Sequence, residues 1–266
     1  MAQLIKPQIK WTEQKIQLLR DQYPFGDKQK LANDLKVTKK ILSYAARRFG
    51  ISSQTTLKKL QCSDLVKDNP IAHYWQGFIL GDGYITVKGH ITITSAKKDA
   101  EHLKQIGKLI PGRFKVITHK TAYTKGDYLT FDAYDVETAQ QLIKRFNIIT
   151  PKTYNPPDIQ YINDYDKFIP FFAGLFDADG CFDIRNGKAV SLNIEMHNSW
   201  KSVLLDIQTK LKIILNINAK VFETAKGYIK MQIFNQETLK TLKRHVTGFN
   251  IPLLERKWNS INLDKN

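Results

Sequence analysis

FAGLFDADG, residues Phe172 to Gly180, decides how the rest of the chain is read. A degenerate second copy, WQGFILGDG, runs from Trp75 to Gly83, and the closing aspartates, Asp82 and Asp179, lie 97 positions apart. Each copy sets two small residues four apart: Gly77 and Gly81 in the first, Gly174 and Ala178 in the second. Residues at that spacing share one helical face. A face without side-chain bulk lets two helix backbones approach closely. If the copies pair through those faces, Asp82 and Asp179 meet at one end of the contact. Paired carboxylates on rigid elements are what a divalent metal site needs. An aspartate at a helix C-terminus opposes the dipole there, and two of them repel each other. A bound cation relieves both penalties.

Each copy is followed by an alternating hairpin. YITVKGHITIT, Tyr84 to Thr94, turns near Lys88-Gly89, and CFDIRNGKAVSLNIE, Cys181 to Glu195, turns at Asn186-Gly187, a strong hairpin signal. Period two sorts the faces. In the first half Ile85, Val87, Ile91 and Ile93 are expected in the core, with Tyr84, Thr86, Lys88, Thr92 and Thr94 outside. In the second half Phe182, Ile184, Leu192 and Ile194 belong underneath, leaving Asp183, Arg185, Ser191, Asn193 and Glu195 exposed. RFNII at Arg145 to Ile149 echoes GFNIP at Gly248 to Pro252. Order, spacing and two separate motifs thus point to an internal duplication. The halves are 70–150 and 166–266, joined at 151–165 by a connector containing TPKTYNPPDI.

The chain has 266 residues, enough to bury a real core, and 41 Lys and Arg against 25 Asp and Glu give a formal charge of +16. Such an excess fits a polyanionic partner, nucleic acid first. The two cysteines, Cys62 and Cys181, form no CxxC, and the six histidines show no metalloprotease spacing, so neither a disulfide framework nor a zinc hydrolase has support. No apolar run is long enough to span a bilayer and the start lacks a secretory core. No membrane role is expected. The expected setting is intracellular: the cytoplasm of a bacterium or phage host, with an organelle as the alternative.

Residues 1–51 read as a small helical module, followed by a linker at 52–69. Thr12 and Thr38 are candidate N-caps, and Ile41, Leu42, Ala45 and Phe49 are expected to face inward on the third helix. Lys39, Lys40, Ser43, Tyr44 and Arg47 then face outward, the layout of a helix-turn-helix. WTEQKIQLLRDQYP, from Trp11, and LANDLKVTKKILSYAARRFGI, to Ile51, resemble the Myb-like trihelical DNA-binding modules.

FAGLFDADG itself resembles the defining motif of LAGLIDADG homing endonucleases, matching at Ala173, Gly174, Leu175, Asp177, Ala178, Asp179 and Gly180. The first copy matches at Gly77, Ile79, Asp82 and Gly83, with Leu80 in place of the earlier acid. The resemblance implies an α+β fold, a pseudo-twofold pair of αββαββα units whose antiparallel sheets form a DNA-binding saddle. Two motifs in one chain imply the monomeric form. It also implies that Asp82 and Asp179 ligate Mg²⁺, or another divalent cation such as Mn²⁺, aided by the carbonyls of Gly81 and Ala178. The activity implied is cleavage of a long, specific duplex DNA target, leaving 3′ overhangs. By strand position Lys230, Gln232 and His197 are candidates for the peripheral group that orients water or steadies the phosphate. A mixture of cationic, amide, acidic and hydroxyl side chains on the outer faces suits major-groove base edges. Two other functions share this fold and charge: a DNA-binding regulator that does not cut, and a maturase that binds intron RNA.

Overall fold

The computed structural model describes residues 11–23, 27–51, 63–120 and 125–262, in two compact units, 1–61 and 62–266. Residues 24–26 and the linker as far as Cys62 lie outside the described residues.

In the first unit, helices α1 (Glu13–Gln22), α2 (Lys28–Asp34) and α3 (Lys39–Arg48) start where side-chain oxygens take up free backbone N–H groups. Thr12 accepts from Lys15, Asp27 from Gln29 and Lys30, and Thr38 from Ile41. Leu19, Leu31, Leu35, Leu42, Ala45 and Ala46 fill the core between them. Ile41, expected inside, is 37% exposed. The inward stripe of α3 runs through 42, 45, 46 and 49, so Ala46 holds the place assigned to Ile41. Lys39, Lys40, Ser43, Tyr44 and Arg47 are all exposed.

The second unit repeats one pattern twice. The first pass is α4 (Pro70–Asp82), β1 (Gly83–Ile85), β2 (His90–Ala96), α5 (Ala100–Lys104), β3 (Arg113–Lys120), β4 (Lys125–Tyr134) and α6 (Val136–Phe146). The second is α7 (Tyr165–Asp179), β5 (Gly180–Arg185), β6 (Lys188–His197), α8 (Lys201–Leu215), β7 (Lys220–Glu223), β8 (Tyr228–Phe234) and α9 (Gln236–Thr247), with a short α10 (Glu255–Trp258) after it. The sheets are antiparallel, in the orders β1-β2-β4-β3 and β5-β6-β8-β7. One core spans both repeats, with α4 and α7 at its centre. Among the described residues no helix is long and apolar enough to cross a membrane.

The two motif helices begin and end alike. Asn69 caps α4 through the Ala72 N–H ahead of Pro70, and Asp164 caps α7 through the Lys167 N–H. Both stop at a glycine, Gly83 or Gly180, in extended conformation. Glycine is needed there for space: a Cβ would sit 2.6 Å from the Ile79 carbonyl oxygen or 2.0 Å from the Phe176 ring. At the second hairpin Asn186 and Gly187 both have positive φ, 50° and 73°, as a type I′ turn requires.

Three expectations about faces and boundaries are corrected. Val87 is 69% exposed, because β1 ends at Ile85 and Val87 belongs to the turn. Ile184 is 49% exposed, because a register shift after Asp183 interrupts the alternation near the open end of β5. Residues 64–66, read as the end of a linker, form a 3₁₀ turn with Leu65 and Val66 in the core.

Candidate active site and nucleic-acid interface

The small-residue faces of α4 and α7 meet with almost no gap. A methyl group on Gly77 would lie 2.0 Å from the Phe171 carbonyl oxygen, and one on Gly174 would lie 1.9 Å from the Tyr74 oxygen. At the end of the contact a Cβ on Gly81 would fall 2.5 Å from the Ala178 Cβ and 2.6 Å from Asp179 Oδ2. The Asp179 carboxylate therefore reaches across to the end of α4, beside Asp82. Both carboxylates keep an open face to solvent, yet the surrounding protein displaces much of their hydration. That burial raises the Asp82 pKa, with Lys152 and Lys257 opposing the rise. It lifts Asp179 to about 6, with repulsion from Asp82 adding to the effect.

Two lysines from outside the motifs cap these helix ends. Lys152 Nζ donates to the carbonyls of Ile79 (3.2 Å), Leu80 (2.5 Å) and Gly81. Lys257 Nζ donates to those of Phe176 (3.0 Å), Asp177 (2.6 Å) and Gly180 (2.7 Å). Cations at helix C-termini complement the dipole that the aspartates oppose. Burial lowers both pKa values, that of Lys152 to about 8, while the two aspartates pull the other way. Sequence reading missed this pair because Lys152 lies in the irregular connector and Lys257 in a helix of only four residues, too short to show periodicity. Extending the FNI echo finds them: Lys152 follows Asn147 by five positions and Lys257 follows Asn250 by seven.

The candidates chosen by strand position lie on the second sheet and beside the connector. Gln232 donates to Ser191 Oγ at 3.3 Å, and Lys230 faces Glu195 across the β6–β8 pairing. His197 bonds Ser199 and packs edge-on to Tyr154, whose connector also presents Lys152. The Gly81 carbonyl, expected to face a metal, accepts from Lys152. The Ala178 carbonyl has the corresponding place on α7, next to the three that Lys257 takes.

Asp177, the earlier acid of the motif, is 2% exposed and structural. It accepts from the Tyr74 hydroxyl (2.8 Å), the Leu254 N–H (2.8 Å) and the Trp258 indole (2.9 Å). Burial pushes its pKa up to about 6 against those three bonds. Nearby, Arg256 forks onto Asp99 at 2.6 and 2.7 Å. The segment carrying Lys257 is thus latched to both repeats. Leu80, at the corresponding position of α4, sits in the apolar core, so the departure there concerns packing and leaves the Asp82–Asp179 pair intact. Asp177→Ala is expected to lower unfolding free energy by about 3–5 kcal/mol, since three buried donors lose their acceptor. Urea denaturation checks this.

Each sheet turns one face away from the helices. On the first sheet Tyr84, Thr92 and Thr94 share it with Arg113, Lys115, Tyr128 and Asp132 from β3 and β4. Thr92 donates to Asp132 at 2.9 Å, and Thr94 pairs with Thr130 at 3.0 Å. Thr86 is half-buried and Lys88 is exposed in the turn. On the second sheet Asp183, Arg185 and Glu195 are exposed as expected, but Ser191 and Asn193 are only 2% exposed. They point to the outer face from an interior strand, where longer neighbours cover them. Ser191 Oγ donates to Asp183 at 2.8 Å and accepts from Asn193 and Gln232. That hydroxyl holds the Asp183 carboxyl below the usual carboxylate range. Ser191 and Asn193 brace the face, and their neighbours form its surface.

The chain is similar in part to known proteins. Residues 169–247 match the family of LAGLIDADG-like domains. A probable intron-encoded endonuclease aI3 of Dictyostelium citrinum is 28% identical over 113 residues, 42% of this chain and 41% of the relative. The match thus spans about two fifths of that protein. Among solved structures, the homing endonuclease I-WcaI bound to its DNA recognition sequence superposes with a TM-score of 0.54 at 18% identity, covering 78% of this chain and 92% of that one. A variant of I-DmoI, in complex with its target DNA in the presence of Mn, has a TM-score of 0.46 at 16% identity, covering 69% of this chain and 96% of that one. Residues 169–247 are thus similar to a LAGLIDADG-like domain, and both glycine-paired motif helices lead into a four-stranded antiparallel sheet.

Proposed function

We propose that the protein is a site-specific endonuclease of duplex DNA that depends on a divalent cation and acts as a monomer. The observation that carries this reading is the meeting of Asp82 and Asp179 at the joined ends of α4 and α7, with a lysine beside each. The donors are all oxygen, which suits Mg²⁺ or Mn²⁺. Among the described residues no third acidic, His or Cys ligand joins them, as expected where substrate phosphates and water complete the shell. Bound there, a divalent cation would lower the pKa of the attacking water and steady the departing 3′ oxygen. Asp82 and Asp179 hold their carboxylate oxygens toward the open side of the helix contact. Lys152 and Lys257 fix the carbonyls behind them and keep positive charge near the scissile phosphates. The outer sheet faces grip the duplex, and cleavage of both strands leaves 3′ overhangs.

Incubation with a plasmid library in Mg²⁺, beside Ca²⁺, tests the reading. One discrete cut site with 3′ overhangs supports it. Selective duplex binding without any cut makes the protein a regulator. RNA binding that outcompetes duplex DNA at equal salt makes it a maturase.

Protonation sets the expected pH profile. A carboxyl whose pKa is raised to about 6 loses its charge, and its value as a ligand, as pH falls through 6. An ammonium lowered to about 8 loses its charge as pH rises through 8. The cleavage rate should therefore be bell-shaped, with apparent limits belonging to the coupled group. Lys152→Met should slow cleavage about a hundredfold and remove the alkaline limb; single-turnover rates between pH 5 and 9 report both.

We further propose that the three-helix unit adds DNA contacts through Lys39, Lys40, Ser43, Tyr44 and Arg47. Removing residues before Ser52 should then weaken target binding about tenfold or more at fixed salt. The cut position should stay where it was, and a shifted cut would sink the idea.

A further inference from the structure

The outer face of the second sheet carries a feature that polar readout does not use. Phe222 on β7 and Phe234 on β8 are 41% and 46% exposed there. Pairing registers fix their positions. Phe222 stands opposite Lys230, which stands opposite Glu195, and Phe234 stands opposite Ser191. The alternate residues Ile229, Met231 and Ile233 point into the core, so the two rings are on the solvent side. Lys220 Nζ lies 5.6 Å from the centre of the Phe234 ring. Lys220, Lys230 and Arg185 supply positive charge to the same face of a chain whose formal charge is +16.

An aromatic hydrocarbon ring has no donor or acceptor to offer a base edge, and phosphates repel it. In the major groove of ordinary DNA the apolar group on a base edge is the 5-methyl of thymine. We propose that Phe222 and Phe234 read thymine methyl groups in the half-site held by the second repeat. The proposal rests on the duplex-DNA reading above. The two rings are four residues apart along the strands and one strand apart across them. That separation is about 14 Å, or roughly four base steps at 3.4 Å each. The half-site should thus prefer thymine at two positions about four steps apart, with the polar contacts of Lys230, Gln232 and Glu195 between them.

The test removes one methyl at a time. The full chain is first used to select binders from a randomised duplex library in Ca²⁺. The selected target is then made with single deoxyuridine-for-thymidine replacements across the half-site, and affinities are measured for the unaltered protein, Phe222→Ala and Phe234→Ala. The expected result is about fourfold weaker binding for deoxyuridine at two positions, the worth of one buried methyl. Each position should go silent in one variant and keep its effect in the other. Both variants should melt like the parent protein, since both rings lie outside the core. If a duplex is selected but deoxyuridine is neutral everywhere, the thymine assignment is wrong while the duplex-DNA reading stands. If the phenylalanine variants weaken binding equally on thymidine and deoxyuridine targets, the rings act through packing and the assignment is again wrong. If no duplex is selected, both fall together.

Discussion

Gly174→Ala should cost the protein its fold or come close to doing so. The added methyl would lie 1.9 Å from the Tyr74 carbonyl oxygen and 2.8 to 2.9 Å from two further backbone atoms, none of which can rotate away. Only separation of α4 from α7 accommodates it. Overpacking a core costs about 1–3 kcal/mol where side chains give way. Here backbone must give way at the centre of the shared core, and we expect at least about 3 kcal/mol, with Gly174→Val worse. Gly187→Ala is the control: it has φ of +73° but nothing within 4 Å, so it should cost only about 1–2 kcal/mol. Guanidinium midpoints for the two variants measure the difference. A Gly174→Ala protein as stable as the parent would mean that the helices do not touch as described. Any folded remainder should cleave poorly, because parting the helices also parts Asp82 from Asp179.

Asp179→Asn should abolish cleavage and leave the fold intact. An amide keeps the shape, loses the charge, and supplies a weaker oxygen to a cation. A loss of about a thousandfold or more in the single-turnover rate corresponds to the several kcal/mol that a bound metal contributes. Target affinity in Ca²⁺ should change far less than the rate. Stability should move the other way. In the cation-free protein Asp82 and Asp179 repel each other, so the Asp179→Asn variant should melt at a higher temperature than the parent. Greater stability with lost function is the signature of a strained active site. A stable variant that still cuts at the parental rate would remove Asp179 from the chemistry.

How much of this was legible in the sequence depended on whether a residue's role follows from its neighbours along the chain. Gly77 and Gly174 were readable because spacing along a helix fixes a face, and a face without bulk has few other uses. Asn186-Gly187 was readable because the turn demands two positive φ angles. Ser191 and Asn193 were misread because alternation tells which side of a sheet a residue takes, not what flanks it. β6 lies between β5 and β8, and the reach of Asp183 and Gln232 over it depends on a pairing order set elsewhere. Ile184 escaped for a related reason: the register shift after Asp183 leaves no mark in an alternating string. Lys152 and Lys257 were overlooked because surface cations are common and neither the connector nor the four-residue α10 carries a periodic pattern. The FNI echo points to their positions, but what they do follows only from the helix ends they cap.

The glycine contacts are reciprocal. Gly77 approaches the carbonyl of Phe171 and Gly174 that of Tyr74, and Tyr74 and Phe171 are 97 positions apart, as are the glycines. A surface that meets its own counterpart in this way is the kind that joins identical subunits. The two halves are therefore parts on a common fitting, and cutting the chain within the connector should give fragments able to find each other again. What distinguishes the partners is the asymmetric ties: Tyr74 to Asp177, and Asp99 to Arg256. Two copies of the second half would lack both, because Phe171 has no hydroxyl to offer Asp177. Those few polar bonds would make the mixed pairing the preferred one.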